Sequence, residues 1–301
     1  MKIRSHIKAH IAKYTTAIFC FITFILSFSA CKEIGPEIDL GDTERDTTLL
    51  DTTYITSTIP SAQQKVVLIE DFTGVRCINC PDGHQQAANI ENTNPGRVVA
   101  VSLHSDFLGV AYTGQPELRI PEAQSLEDLL GPAPAKPVAA IDRVLFSGET
   151  SVLQFLQQWS GRTNERLTQN VPVNIEIENI LETLDTARNL KVKIKATYLQ
   201  NITADNRLTI MLAEENVVAA QLTNSGVDSN YVHKNVVRAF LTRFNGDVLN
   251  AELTTGRVFE KEYTLNNLPQ NWKLNDLKVV ALIHNFVTNK EVQQTQVKKV
   301  F

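Results

Sequence analysis

The stretch Val66-Val67-Leu68-Ile69-Glu70-Asp71-Phe72-Thr73-Gly74-Val75-Arg76-Cys77-Ile78-Asn79-Cys80-Pro81 constrains this chain more than any other. A β-branched apolar run ends at a glycine, and a Cys-x-x-Cys then opens a predicted helix to about Ile90, so two sulfurs sit where a strand hands over to a helix N-terminus. Unpaired N–H groups and the positive end of the helix dipole favour an anion there, which stabilises a thiolate on Cys77 and lowers its pKa below the free value. Cys77 is therefore the candidate nucleophile. Cys80, one turn further in and less exposed, is placed to resolve a mixed disulfide from within the same loop. Arg76 adds positive charge beside the thiolate. Pro81 falls in the first turn, where backbone N–H groups lack intrahelical partners in any case.

The other two cysteines belong to a different part of the chain. Lys2, Arg4, Lys8 and Lys13 form a basic start, and Thr15 to Phe28 is an apolar stretch that contains Cys20. It is shorter than the roughly 20 residues a membrane-spanning helix needs, and it reads as an export signal over residues 1–30. The signal ends Ser27-Phe28-Ser29-Ala30-Cys31, which resembles a bacterial lipobox with Phe28 in place of the usual Leu. The resemblance implies that Cys31 carries a lipid and anchors the protein to a membrane, the cell outer membrane, facing the periplasm or the cell surface. Removing residues 1–30 takes away four basic and no acidic residues, so a formal charge of -4 becomes -8. An acidic exported protein lacks the basic footprint that nucleic-acid binding needs, and that class is excluded.

With 301 residues, 43% of them hydrophobic, the chain can bury a sizeable core and divides into two predicted domains. Residues 31–64, rich in Thr, Asp and Glu, read as a flexible tether spanning about 30 Å. Residues 65–170 alternate strand and helix signals. Arg97 to Leu103 is a buried strand, Pro121 to Leu130 a short helix stopped at Gly131, and Val138 to Arg143 a further strand. Ser151 to about Thr168 reads as a helix with Leu153, Leu156 and Trp159 on one face. The first strand, helix and second strand form a β-α-β unit, which implies a parallel pair.

From Asp71 to Pro81 the sequence resembles the redox loop of the thioredoxin superfamily, and more closely a Bacteroidetes outer-membrane lipoprotein family named after an outer-membrane protein of about twenty-eight kilodaltons. The resemblance implies that Asp71, six positions before Cys77, lies beneath the cysteines and moves protons during exchange. It also implies that Pro137, ahead of Val138-Ala139-Ala140, is a cis-proline packed against the disulfide. The sequence departs from the superfamily pattern at Arg76, where an aromatic residue is common, and at Ile78-Asn79 between the cysteines.

Residues 171–301 change to period-two alternation. Val173, Ile175 and Ile177 interleave with Asn174, Glu176 and Glu178, while Val192, Ile194 and Ala196 interleave with Lys191, Lys193 and Lys195. If these two strands pair, their carboxylates and ammoniums meet on the solvent face. Further strands are predicted over 207–213, 216–221, 257–265, 278–286 and 291–300, which together suggest an all-β immunoglobulin-like sandwich. Tyr231-Val232-His233-Lys234-Asn235-Val236-Val237-Arg238 resembles a segment of the same lipoprotein family.

Three roles stand open for Cys77 and Cys80. They are a redox-active pair acting on protein thiols or disulfides, a static disulfide in a non-enzymatic module for adhesion or partner binding, or half of a metal site with His84. The last lacks a fourth ligand, so no metal is expected. No cofactor is expected either, since no Gly-rich phosphate loop is present. His84 reads as a surface or packing histidine, and His104 as a strand-end histidine near the loop. His233 and His284 have no partner signalled in the sequence.

Overall fold

A computed structural model describes residues 49–301, apart from 132, 185, 186 and 288. The predicted signal, Cys31 and the first part of the tether therefore lie outside the described residues. The strands in chain order are β1 (Asp51–Ile55), β2 (Val67–Thr73), β3 (Val98–His104), β4 (Val138–Ile141), β5 (Leu153–Phe155), β6 (Val173–Leu184), β7 (Ala187–Tyr198), β8 (Asn206–Glu214), β9 (Val217–Val218), β10 (Gln221–Thr223), β11 (Gly226–Asp228), β12 (Val232–His233), β13 (Val236–Phe240), β14 (Asp247–Val248), β15 (Arg257–Leu265), β16 (Leu277–Asn285) and β17 (Val292–Lys299). Among the described residues three α-helices accompany them: α1 (Cys80–Thr93), α2 (Pro121–Leu130) and α3 (Trp159–Arg166). The fold is mixed α/β, with sheets far outweighing helices.

One nine-stranded sheet runs in the order β17-β16-β8-β13-β3-β2-β4-β5, with β14 paired to β8. β2 and β3 are parallel over their whole length, as the β-α-β pattern requires, and β4 and β5 continue antiparallel. Every residue of β2 and β3 is buried, which explains why both read as near-continuous apolar runs rather than alternating ones. A second, four-stranded sheet has the order β1-β15-β7-β6.

The burial of each face follows from these patterns. On one side of the large sheet, α2 lays Ala123, Leu126 and Leu130 against Leu68, Phe72, Val101, Met211 and Val280. On the other side, α1 and α3 cover β2 to β4 through Ala87, Ile90 and Trp159. The second sheet shares a core with β8 and β16, with Ile175, Val192 and Ile194 meeting Leu208, Ile210, Val279 and Ala281. Each fully buried Leu or Ile in these layers contributes about 1.5–3 kcal/mol by its transfer from water.

The junction between the halves is a strand and not a linker. β13 is antiparallel to β8 and meets β3 in parallel through Val236 and Ser102, and the Ser102 amide donates to the Asn235 carbonyl at 2.8 Å. Strands from both sides of residue 170 thus share one sheet. The tether expected through residue 64 ends earlier among the described residues. β1 pairs with β15 from Asp51 to Ile55, and Gln63 exchanges hydrogen bonds with Asn174 and Ile175. The edge of β15 takes up β1, and Asn174 and Ile175 on β6 take up Gln63, which accounts for that ordering.

The β6–β7 hairpin has the register that pairs Glu176 with Lys195 and Glu178 with Lys193. Lys195 and Glu176 meet at 3.5 Å on the exposed face, whereas Lys193 turns to Glu260 on β15 at 3.8 Å. The helix expected over 151–168 forms only from Trp159. Leu153 sits in β5 because β4 offers it an edge, with Ala140 as its partner.

Candidate functional site

The loop between β2 and α1 carries a Cys77–Cys80 disulfide, with Cα atoms 5.4 Å apart. The Cys77 amide donates to the Gly74 carbonyl at 3.0 Å, and the Cys80 amide to the Cys77 carbonyl at 3.2 Å. Regular helix starts at Cys80, so Cys77 occupies the turn just before it and not the first helical turn itself. Cys80 is fully buried and Cys77 is 5% exposed, while Ile78 between them is 44% exposed and forms the loop's tip.

Gly74 makes this loop fit. A Cβ there would lie 2.6 Å from the carbonyl carbon and oxygen of Leu108, backbone that cannot move aside cheaply. That approach lets the Arg76 amide donate to the Leu108 carbonyl at 2.8 Å. The Arg76 guanidinium, expected to support a thiolate, is committed elsewhere. It donates to the carbonyls of Val110 and Ala111 and lies 4.3 Å from the centre of the Tyr112 ring.

Pro137 follows Lys136 through a cis peptide bond. Its ring packs on Gly83, one turn beyond Cys80, so closely that a Cβ on Gly83 would lie 2.8 Å from the proline Cβ. Lys136 is buried and donates to Ser105, with Asp106 at 2.8 Å and Glu127 at 3.1 Å as its counter-charges. Ser105 in turn hydrogen-bonds Glu127.

Asp71 lies on β2 with Thr73, both on the sheet face covered by α1. Neither carboxyl oxygen of Asp71 has a hydrogen-bond partner. Burial pushes its pKa up to about 8, with Lys136 pulling the other way. His84 Nε2 lies 4.0 Å from Asp71 Oδ2. The His84 side chain is only 7% exposed, so of the two roles expected for it packing is the one the structure has. Its ring contacts Thr73 Oγ1 through Nε2 and the Tyr231 hydroxyl through Nδ1, each at 2.8 Å. The rings of Tyr231 and His233 stack edge-on at 4.8 Å, and His233 lies 5.3 Å from His104 and 5.8 Å from His84. Burial lowers the imidazoles to about 3 for His84 and about 4 for His233, and carries His104 well below the ordinary value. All three are neutral at physiological pH. Among the described residues, no group of three or more His, Cys, Asp or Glu side chains is placed to hold a metal ion.

The histidines meet because a segment from the far half of the chain folds over the loop. Leu222 donates its amide to the Val75 carbonyl at 2.8 Å, and Gln221 Nε2 donates to the Cys77 carbonyl at 2.9 Å. Ala219 and Val236 share a small core with Val75 and Leu118. Of the residues the sequence points to, Cys77 and Cys80 form the disulfide, Pro137 packs on Gly83 and Asp71 approaches His84, while Cys31 lies outside the described residues. Sequence reasoning missed His84, Tyr231 and His233 as a group. The one available signal was the Tyr231-x-His233 spacing inside the segment already noted for its resemblance.

The site thus defines a disulfide-bearing strand-to-helix loop in a mixed α/β sheet protein. The family described as outer membrane protein Omp28 matches residues 133–300, more than half of the chain, and the protein belongs to that family. The match takes in Pro137 and His233 but begins after Asp71, Cys77 and Cys80. Among solved structures, HBP35 of Porphyromonas gingivalis is similar in fold, with a TM-score of 0.63 at 18% identity over 80% of this chain and 77% of that one. A protein of Agrobacterium tumefaciens aligns with a TM-score of 0.48 at 15% identity over 80% of this chain and 97% of that one. A domain of the outer membrane lipoprotein Omp28 from Porphyromonas gingivalis aligns with a TM-score of 0.30 at 16% identity over 43% of this chain and 95% of that one. No curated protein matches the chain. Among the described residues, no helix is long and apolar enough to cross a membrane.

Proposed function

We propose that this protein is an envelope lipoprotein, anchored in the outer membrane through a lipid on Cys31, whose Cys77–Cys80 pair exchanges with thiols or disulfides of other proteins. In this reading residues 65–170 form a thioredoxin-like unit, and the strands after residue 171 form an immunoglobulin-like sandwich joined to it. The observation that carries the reading is the disulfide at a strand-to-helix turn, with a buried, unpartnered Asp71 on the strand and a cis-Pro137 against the helix.

The chemistry follows from these positions. Cys77 as thiolate attacks one sulfur of a substrate disulfide, forming a mixed disulfide and expelling the other substrate sulfur as thiolate. Cys80 thiolate then attacks Cys77 Sγ, which releases the remaining substrate sulfur and leaves Cys77–Cys80 oxidised. Two electrons pass to the substrate. Asp71 accepts the Cys80 proton as that thiol becomes a nucleophile, and returns one when the reaction runs in reverse. Pro137 shapes the groove beside Cys77.

Replacing Cys80 with Ser tests this. The variant should accumulate mixed disulfides through Cys77 in the envelope, resolved by a reductant on gels. If no adduct appears above a control in which both cysteines are serine, exchange is overturned.

A second reading has its own support. Cys77 is only 5% exposed, and its carbonyl is held by Gln221 from the far half of the chain. A static disulfide in a surface module for adhesion or partner binding suits that cover. Under this reading the double serine variant keeps the cellular phenotype.

A further inference from the structure

A buried acid that trades protons with a cysteine must itself exchange with solvent, and Asp71 has no direct way to do so. It is 1% exposed, and its two oxygens find no hydrogen-bond donor. The groups around it differ in what they offer. Lys136 is tied to Ser105, Asp106 and Glu127. His104 on β3 and His233 on β12 are neutral; the His104 ring nitrogens have no hydrogen-bond partner, and the His233 ring is turned to the backbone of Ala219 and Ala220. His84 alone combines an approach to Asp71 with a connection outward. Its Nε2, held by Thr73 Oγ1 at 2.8 Å, is 4.0 Å from Oδ2, so the ring or the carboxyl must turn for the two to meet in a hydrogen bond. Its Nδ1 lies 2.8 Å from the Tyr231 hydroxyl, and Tyr231 is only partly buried. A cavity of about 310 Å³, bounded by His84, Glu91, Ser102, Lys234 and Asn235, opens on the same ring.

We infer that His84 and Tyr231 form the proton path between solvent and Asp71, acting through Asp71 on the cysteine pair. This rests on the proposed role of Asp71 in exchange. A neutral imidazole suits the task. The Tyr231 hydroxyl gives its proton to Nδ1 as Nε2 gives one to the Asp71 carboxylate, and the tyrosine is re-protonated from solvent. No charge stays on the ring, which matches an environment that disfavours imidazolium; burial also pushes the Tyr231 hydroxyl up to about 12, so solvent must replace its proton as it is given.

Dithiothreitol serves as the probe, because it reduces the pair whether or not the protein has a partner in the envelope. One dithiothreitol thiolate attacks Cys77 Sγ, and the Cys77–Cys80 bond breaks. Cys80 leaves with the electron pair and takes the proton of Asp71. The second dithiothreitol sulfur closes its own ring and frees Cys77. Two electrons move from the probe to the cystine, and Asp71 is left as carboxylate, to be re-protonated along the path.

The experiment follows reduction of the full-length oxidised protein between pH 5 and 9, in the parent and in Tyr231→Phe and His84→Ala. Above pH 8, where Asp71 must be loaded along the path before it can protonate Cys80, both variants should react about a hundredfold more slowly, the low end of general-acid effects, and at pH 5, where Asp71 already carries its proton, they should match the parent. Added imidazole should restore His84→Ala, and the midpoint potential should not change. A purely structural role would give neither the rescue nor the unchanged potential. If Tyr231→Phe reacts within roughly twofold of the parent at every pH, the path is overturned, even if His84→Ala does not fold. Failure to trap partners with Cys80→Ser would overturn the exchange reading and leave this rate comparison intact.

Discussion

Gln221 donates its side-chain amide to the carbonyl oxygen of Cys77 at 2.9 Å, across 144 positions of sequence. The same Nε2 lies 3.0 Å from the Leu222 carbonyl and 3.4 Å from that of Gly74, and the side chain is fully buried. It thus stitches the disulfide loop to β10. Removing a buried donor leaves carbonyls behind without their partner and costs about 1–3 kcal/mol. Gln221→Ala should lower the unfolding free energy by that amount, seen as a lower urea midpoint with an unchanged slope. Amide exchange should quicken at Leu222 and Cys77 well before it does in β16. Equal protection in both places would separate Gln221 from the loop's order.

The buried acid and the buried histidines make opposite demands on pH. The folded-state pKa of Asp71, about 8, lies above its unfolded value. Its contribution is complete below about pH 4 and is lost as pH rises towards 8. For His84, His233 and His284 the folded values, about 3, 4 and 3, lie below the unfolded one. Their contribution is complete above about pH 6.5 and is lost as pH falls towards those values. Acid therefore weakens the fold through several histidines, and mild alkali weakens it through Asp71. Asp71→Asn should be more stable than the parent at pH 8 by roughly 2–5 kcal/mol and no more stable at about pH 4. Urea titrations at the two pH values check this, and a gain of equal size at both would show that ionisation is not its cause.

What the sequence disclosed and what it withheld divide along the range of the interactions. The apolar runs of β2 and β3, Cys77 and Cys80 at a strand end, and the alternation that turns the carboxylates of β6 and the ammoniums of β7 to one face are patterns over a few residues, and the structure has them. Three features depend on contacts between distant segments, which no local period encodes. Leu153 leaves the helical pattern because β4 presents an edge. β13 enters between β3 and β8 and makes one sheet of two apparent domains. The His84–Tyr231 contact spans 147 positions, so a histidine one turn past Cys80 reads as ordinary until residues 231–233 are laid over it.

Arg143 and Glu70 form a bidentate ion pair with both side chains fully buried, at 2.8 and 2.6 Å. Taking two charges out of water costs about as much as their attraction returns, so the pair by itself says little about stability. Breaking it is another matter. Arg143→Met leaves the Glu70 carboxylate buried without its partner and should cost about 3–5 kcal/mol. Arg143→Met combined with Glu70→Leu removes both charges and should recover most of that loss, as thermal unfolding would show. A double variant as unstable as the single one would place the cost in packing.

Gly83 sets helix propensity against packing in one residue. Within α1, exchanging Gly for Ala would ordinarily gain about 1 kcal/mol. Here the new Cβ would lie 2.8 and 3.0 Å from the Pro137 ring and 3.3 Å from Trp159, and neither ring is the free end of a flexible chain. Overpacking of this kind costs about 1–3 kcal/mol, which outweighs the propensity gain. Gly83→Ala should therefore be destabilised by up to about 2 kcal/mol. Because Pro137 is pushed away from the helix that begins at Cys80, the rate at which dithiothreitol reduces Cys77–Cys80 should also change. Ala88→Gly, in the same helix beside the open cavity, isolates the propensity effect and should lose about 1 kcal/mol with the reduction rate unaltered. A Gly83→Ala protein more stable than the parent would mean that the Pro137 ring yields to the methyl group, and that the contact does not hold the proline in place.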